Sequence, residues 1–411
     1  VTVVQAPVER FPGWRVVTAS FVCLAVTGGL GFYGLAAYLT VLSREQGWSV
    51  GSISAAAALF FLVGGFAGVV VARQLARHDV RTVVVIGAVV GTVALLLLGR
   101  VSQVWHVYVA YALLSIGHTC AGLVPATTVV TRWFHAKRSV ALAAASTGLS
   151  AGGIVITPLA KWLMDERGIE RATPWLALVW LIGIVPVTLL LMSPDPTRLG
   201  WHPDGGRISA GAAPAEASVD HDAAIRTRFF LMVTVAYTLI MVAQVGGIQQ
   251  LVKLVEEREG TRVATISTTV LAGTSVVARL AGGQLAARLS MARLAIGCAA
   301  LQGASLVLIG VVESRVLLFA GIVLFGATVG NLLMLHPLLI GQQFGSRDYP
   351  RIFSRSQFVV FVGTAAGPYV LGVLRDASDG YLVAYAVAGS LSMLGAVLLP
   401  RAVRGDPGAP G

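Results

Sequence analysis

The sequence predicts an all-α membrane protein of twelve transmembrane helices in two pseudo-symmetric six-helix bundles, and three observations carry that expectation. The first is composition: 56% of the 411 residues are apolar and only 12% are charged, about half the charge of a soluble domain. The missing charge is missing in blocks, such as Val16 to Leu42 and Val83 to Gly99. An α-helix of ~20 apolar residues crosses the ~30 Å hydrocarbon layer. Membrane strands would instead alternate over ~10 residues, and no such alternation is visible.

The second observation is where the charge lies. Twelve spans read near 16–42, 50–72, 82–99, 104–131, 139–160, 174–193, 229–252, 264–287, 291–312, 316–343, 352–374 and 381–400. With both termini placed in the cytoplasm, cytoplasmic segments hold 19 Lys/Arg and 9 Asp/Glu, and the opposite side holds 10 of each. The formal charge of +11 is then +10, 0, and +1 from Arg279 inside a span. This is the positive-inside distribution, so the basic balance reports orientation in a lipid bilayer and excludes nucleic-acid binding.

The third observation is a repeat at a constant offset of 210 residues. Phe134 matches Phe344, Lys137 matches Arg347, Gly153 matches Gly363 and Pro158 matches Pro368. One shared offset falling on corresponding spans indicates a duplicated six-helix unit, with repeats related by an axis along the membrane normal.

Taken in order, span 1 carries the glycine-broken run "GGLGFYGLAAYL", which brings Tyr33 and Tyr38 to the membrane interior and its edge. Such breaks are tolerated where backbone lines a cavity or packs closely. The first block is too long, and lacks the small-residue site, to read as a cleavable signal. Span 4 holds His118 in "SIGHTCAG" and span 7 holds Gln244. "DERGIER" and "KLVEEREGTR" close spans 5 and 7 and read as solvated loops. Residues 194–228 are rich in Pro, Gly, Ala and acid, a composition that cannot bury a core and reads as a cytoplasmic linker. The expected organisation is an N-terminal bundle over 1–193, that linker, and a C-terminal bundle over 229–411. Span 8 contains Arg279; span 10 contains Asn331 and His336, the latter followed by Pro337. Cys23, Cys120 and Cys298 fall inside spans without ligand spacing and read as packing residues. No metal or cofactor is expected.

Arg279 is the most informative residue. Its nearest charged neighbours are Arg262 and Arg288, and an arginine at mid-membrane costs about 2.5–3.5 kcal/mol on insertion scales. It cannot shed its proton. Two readings stand: a guanidinium fork awaiting a carboxylate in a central cavity, or an arginine that snorkels to the surface or caps carbonyls of a neighbouring helix. Counting along the spans puts His336 at nearly the depth of Arg279.

The stretches "VTRWFHAKRSVALAAASTGLSAGGIVITPLAKWLMD" and "HPLLIGQQFGSRDYPRIFSRSQFVVFVGTAAGPYVLGVLRDASDGY", with "FPGWRVV" and "EQGWSVGSISAA", resemble the monocarboxylate and oxalate:formate branch of the major facilitator superfamily. The resemblance implies two bundles rocking about a central site. It also implies that Val277, Ala278 and Arg279 stand where a span 8 arginine pairs with the substrate carboxylate, and that spans 1, 4, 7 and 10 line the cavity. Two departures are visible. Ser275 stands where many members carry an acid, and the region of Gly363 lacks the second cation of oxalate exchangers.

The expected function is secondary active transport of a small organic anion, most readily a monocarboxylate, by alternating access and proton-coupled symport. The chain is expected at the plasma membrane, as a monomer and not an enzyme. Candidate substrate-binding residues are Arg279, His336, Asn331, His118, Tyr33 and Gln244; no Asp or Glu lies deep in a span, which leaves His336 and His118 as proton-coupling candidates. The alternatives are a carboxylate:carboxylate antiporter and, further off, a neutral-solute or drug/proton carrier.

Overall fold

In a computed structural model, residues 11–48, 50–205, 220–286, 288–345, 348–378 and 380–403 are described. The central part of the expected linker, 206–219, and Arg347 of the repeat lie outside them. Helices account for the described regular structure, as hydrocarbon requires: only helices or closed barrels satisfy every backbone group internally.

Span 1 is Gly13–Gln46, span 2 Val50–Arg77, span 3 Val80–Leu98 and span 4 Val104–Trp133. Spans 5 and 6 form one run, Arg138–Leu191, parted at Gly168, whose φ of 74° and ψ of 160° break the helix. Span 7 is Arg228–Glu259, span 8 Thr261–Ala286, span 9 Met291–Val311, span 10 Arg315–Phe344, span 11 Tyr349–Ser378 and span 12 Leu382–Val403. The even number returns the chain to its starting side at Leu191 and again at Val403, so both ends and the connecting segment share one face, called here the termini side.

Polar residues inside the spans are mostly silenced locally. The hydroxyls of Thr27, Thr92, Thr119 and Thr147 each donate to the carbonyl four residues back at 2.8 Å, a bond that hides the group from lipid. Between helices, Gln302 of span 9 donates to Ile240 O and Ser392 Oγ, both at 3.0 Å, and so ties spans 7, 9 and 12 together. The three cysteines are buried and free, with Cys23 Sγ 3.6 Å from Thr188 Oγ1.

The halves meet mainly through two pairs of helices, span 2 with span 11 and span 5 with span 8, with smaller contacts of span 5 with span 10 and of span 4 with span 11. The 210-residue repeat exchanges span 2 with 8 and span 5 with 11, so the two main contacts are counterparts. Small residues permit both. A Cβ at Gly65 would stand 3.1 Å from the Phe358 ring, and one at Gly283 would overlap Ala143.

Spans 1 and 5 each contain a π turn, at Gly28–Phe32 and Gly152–Ile156, packed against each other. The break expected in span 1 is therefore a widened turn and not a gap. Tyr38 is fully buried and donates to Leu30 O at 2.8 Å, spanning that turn. It is a core residue, not the interface anchor its position suggested. "DERGIER" is also not a loop. It continues the helix to Gly168, with Asp165 bonded to Arg44 at 2.9 Å and Glu45 accepting from Ile169 N at 3.3 Å. Partners from span 1, more than a hundred residues earlier, brace that extension beside the local Lys161–Asp165 pair.

Candidate functional site

Span 8 presents Ser275, Arg279 and Gly282 at successive turns of one face, and this face meets span 10. Gly330 lies against both Ser275 and Arg279, whose Nε donates to Gly330 O at 3.2 Å. The other arm of the guanidinium crosses to the first half, where Nη1 donates to Ser146 O of span 5. Arg279 is 1% exposed. Both of its hydrogen-bond partners are neutral carbonyls, and no carboxylate pairs with it among the described residues.

The guanidinium thus caps carbonyls of neighbouring helices, as the second sequence reading anticipated. Arg279 is enclosed by protein and does not face an open cavity as the first reading expected, and neither cavity described below is lined by it. What the sequence could not indicate is that its two acceptors belong to different halves.

The candidate residues do not all gather here. Tyr33, at the end of the π turn of span 1, lies close to Arg279 and Ser150 and rests its ring on Gly153. Asn331 packs on Gly282; its Nδ2 donates to Ala327 O at 2.9 Å while its buried Oδ1 has no partner. Ser275 Oγ is likewise buried and unpartnered. Gln244 is buried in span 7 with an unpartnered Oε1 and makes no hydrogen bond to Arg279.

His336 is elsewhere. Since Arg279 is level with Gly330, His336 lies six residues further along span 10, about 9 Å toward the termini side at 1.5 Å per residue. The expected equality of depth fails because counting along two spans takes no account of their lengths or of where a long side chain points. His336 is walled inside the second half. Its ring stacks on Tyr237 at 4.4 Å and meets Phe353 edge-on, and its Nε2 is 2.9 Å from Ser356 Oγ, which also accepts from Thr234 Oγ1 at 2.8 Å. Replacing Ser356 by Ala leaves Thr234 Oγ1 without this acceptor and His336 with Gln357 alone, and is expected to cost about 1–3 kcal/mol of stability, read as a lowered unfolding temperature in detergent.

His118 occupies a third place, with Nδ1 3.1 Å from Thr27 O and its ring near Phe60. It lines a cavity of about 20 Å³ at the contact of spans 2, 4 and 11, together with Gln357 and Phe361, room for about one water molecule. A second, open cleft of about 370 Å³ lies on the termini side among Arg77, Asp79, Arg132, Asp195 and Arg198.

The residues missed by sequence reading are mostly acceptors. Ser146 and Gly330 contribute backbone oxygens, which carry no signature. Ser356 and Gln357 sit in "SRSQF" with nothing to distinguish them from packing residues. Arg138, assigned only a role in orientation, is buried, and its Nη1 reaches Gly341 O of span 10 at 3.1 Å.

Comparison with known proteins places this arrangement. The chain is 25% identical over 402 residues to monocarboxylate transporter 13 of Rattus norvegicus, covering 94% of this chain and 88% of that one. Among solved structures it resembles the E. coli fucose:proton symporter FucP, with a TM-score of 0.71 at 14% identity over 96% of this chain and 98% of that one. It also resembles the human organic anion transporter MFSD10, with a TM-score of 0.71 at 16% identity over 94% and 99%; at such identities the likeness is one of fold. The model of the Major Facilitator Superfamily matches residues 21–338. Twelve spans in two repeated halves and a family match over most of the length lead to one conclusion: the chain belongs to the Major Facilitator Superfamily and is a multi-pass membrane transporter of a small molecule, not an enzyme.

Proposed function

We propose that the protein carries small organic anions with one carboxylate across the plasma membrane, as a monomer with both termini in the cytoplasm. The halves 1–193 and 229–411, joined by 194–228, rock about a site centred on Arg279. The observation that carries this reading is a buried guanidinium whose charge no acid among the described residues neutralises and whose two hydrogen bonds go to opposite halves. Rocking the halves apart must break the bond to Ser146. A carboxylate arriving at that moment supplies charge-assisted, bidentate hydrogen bonds in place of a neutral carbonyl. Closing over an unpaired cation costs more than closing over a paired one, so the carrier turns over loaded. The rat relative, named a monocarboxylate transporter, supports the same class of cargo.

In the symport form of this reading a proton travels with the anion, on the carboxylate itself, on His118 or on His336, the last enclosed among Tyr237, Phe353 and Ser356. One observation favours exchange of one carboxylate for another instead: neither histidine shares the Arg279 cluster. Uptake into liposomes across a panel of mono- and dicarboxylates, with an imposed pH gradient or with trapped counter-substrate, separates the two. Symport is expected to respond to the gradient without trapped substrate, whereas exchange requires the trapped substrate. If no carboxylate is accumulated under either condition, the proposal fails.

A further inference from the structure

We infer that Asp204 is a positioning residue of the transport cycle, a clasp by which the segment between the halves holds the termini-side gate shut. After span 6 the chain does not leave the protein at once. Ser193 O accepts from Trp133 Nε1 at 2.8 Å, and Arg81 Nε donates to Met192 O. Asp195 caps a short turn through Thr197 N at 2.9 Å. Trp201 then meets Phe11 at 5.7 Å, and Phe11 itself contacts Trp133 and Phe134, both at 5.6 Å. These contacts deliver Asp204 to the turn joining spans 4 and 5.

There its carboxylate accepts three consecutive backbone N–H groups, from His135 at 3.0 Å, Ala136 at 2.6 Å and Lys137 at 3.1 Å. Successive amides pointing at one carboxylate form an anion-holding nest, and each bond is charge-assisted. Asp204 is also the only described non-glycine residue with positive φ, at 65°. That left-handed conformation is one that aspartate adopts more readily than most residues, and here it turns the carboxylate onto the nest.

The next residue gives the clasp its consequence. Arg138 follows the nest directly; its Nε donates to Phe134 O at 3.1 Å and its Nη1 to Gly341 O of the other half, also at 3.1 Å. The turn that Asp204 holds is therefore the one that aims Arg138 across the seam. The termini side cannot open with the Arg138–Gly341 bond intact, and Asp204 biases the carrier toward the state in which it is made. This role rests on the rocking cycle proposed above but on neither Arg279 nor the cargo, so a conformational readout tests it separately from uptake.

The test uses the full chain in detergent with spin labels at His78→Cys and Arg288→Cys, exposed positions on the termini side of opposite halves that are equivalent in the 210-residue repeat. Asp204→Ala is expected to raise the ratio of long to short label distances about tenfold, the shift that 1.4 kcal/mol produces. Asp204→Asn, which keeps one acceptor oxygen, should fall between. Asp222→Ala removes a carboxylate of the same connecting segment that bonds to His221 and not to the turn joining spans 4 and 5, and should match the parent. Added to Arg138→Gln, Asp204→Ala should change nothing further, because coupled residues are non-additive. An unchanged distribution in folded Asp204→Ala overturns the inference, as does full additivity with Arg138→Gln. Failure of both Asp204 variants to fold would also overturn it, by making the residue a folding element.

Discussion

Arg279→Gln is expected to abolish carboxylate uptake while leaving the protein at least as stable as the parent. Removing one member of a buried ion pair costs about 3–5 kcal/mol, which corresponds to a loss of roughly 10²- to 10⁴-fold in anion affinity. The same change deletes a buried cation held only by carbonyls, whose placement in the membrane costs about 2.5–3.5 kcal/mol. Stability and transport should thus move in opposite directions, an outcome that a purely structural arginine would not give. Arg279→Lys keeps the charge but loses the planar fork and should retain a small fraction of uptake. The measurements are unfolding temperature in detergent and initial uptake rate in liposomes. Unaltered uptake in a folded Arg279→Gln chain would remove the anion-carrier reading.

Gly152→Val should leave little folded protein. A Cβ at Gly152 would overlap Ala25 O of span 1, and that atom is backbone, unable to rotate aside. Overpacking of this kind costs about 1–3 kcal/mol even where side chains yield; where two backbones must separate, the effect should exceed that range. Gly273→Ala and Gly297→Ala serve as controls, since nothing lies within 4 Å of a Cβ at either position. Their unfolding temperatures should stay near that of the parent. A Gly152→Val chain of undiminished yield and sharp elution in size-exclusion chromatography would show that the crossing of spans 1 and 5 is looser than described.

Much of this architecture was legible in the residues, because a bilayer punishes exceptions. Apolar blocks of fixed length, basic loops on one side and a repeat at one offset each constrain the same twelve helices. Arg279 was legible for the same reason: a lone charge in "TSVVARLAGGQ" has a cost that must be answered. How it is answered was not legible, since Ser146 and Gly330 offer main-chain oxygens that every residue possesses. The depth of His336 was misjudged because position along a span does not report the direction of a long side chain from the neighbouring span. The helical path of "DERGIER" escaped notice because its stabilising partners, Arg44 and Glu45, come from another span. Local composition favoured water, and the charged side chains are indeed exposed, but they stand on helix and not on a loop.

The widened turn in span 5 bears on what the internal duplication means in space. Gly153 and Gly363, and Pro158 and Pro368, remain in step by number. Yet Gly152–Ile156 accommodates an extra residue per turn, while its counterpart lies within the continuous helix Tyr349–Ser378. One residue of an α-helix corresponds to about 100° of rotation. Beyond the glycines the two copies are therefore out of screw phase, although the numerical register of the repeat is intact. The twin halves have ceased to be mirror answers to one another without gaining or losing a single amino acid.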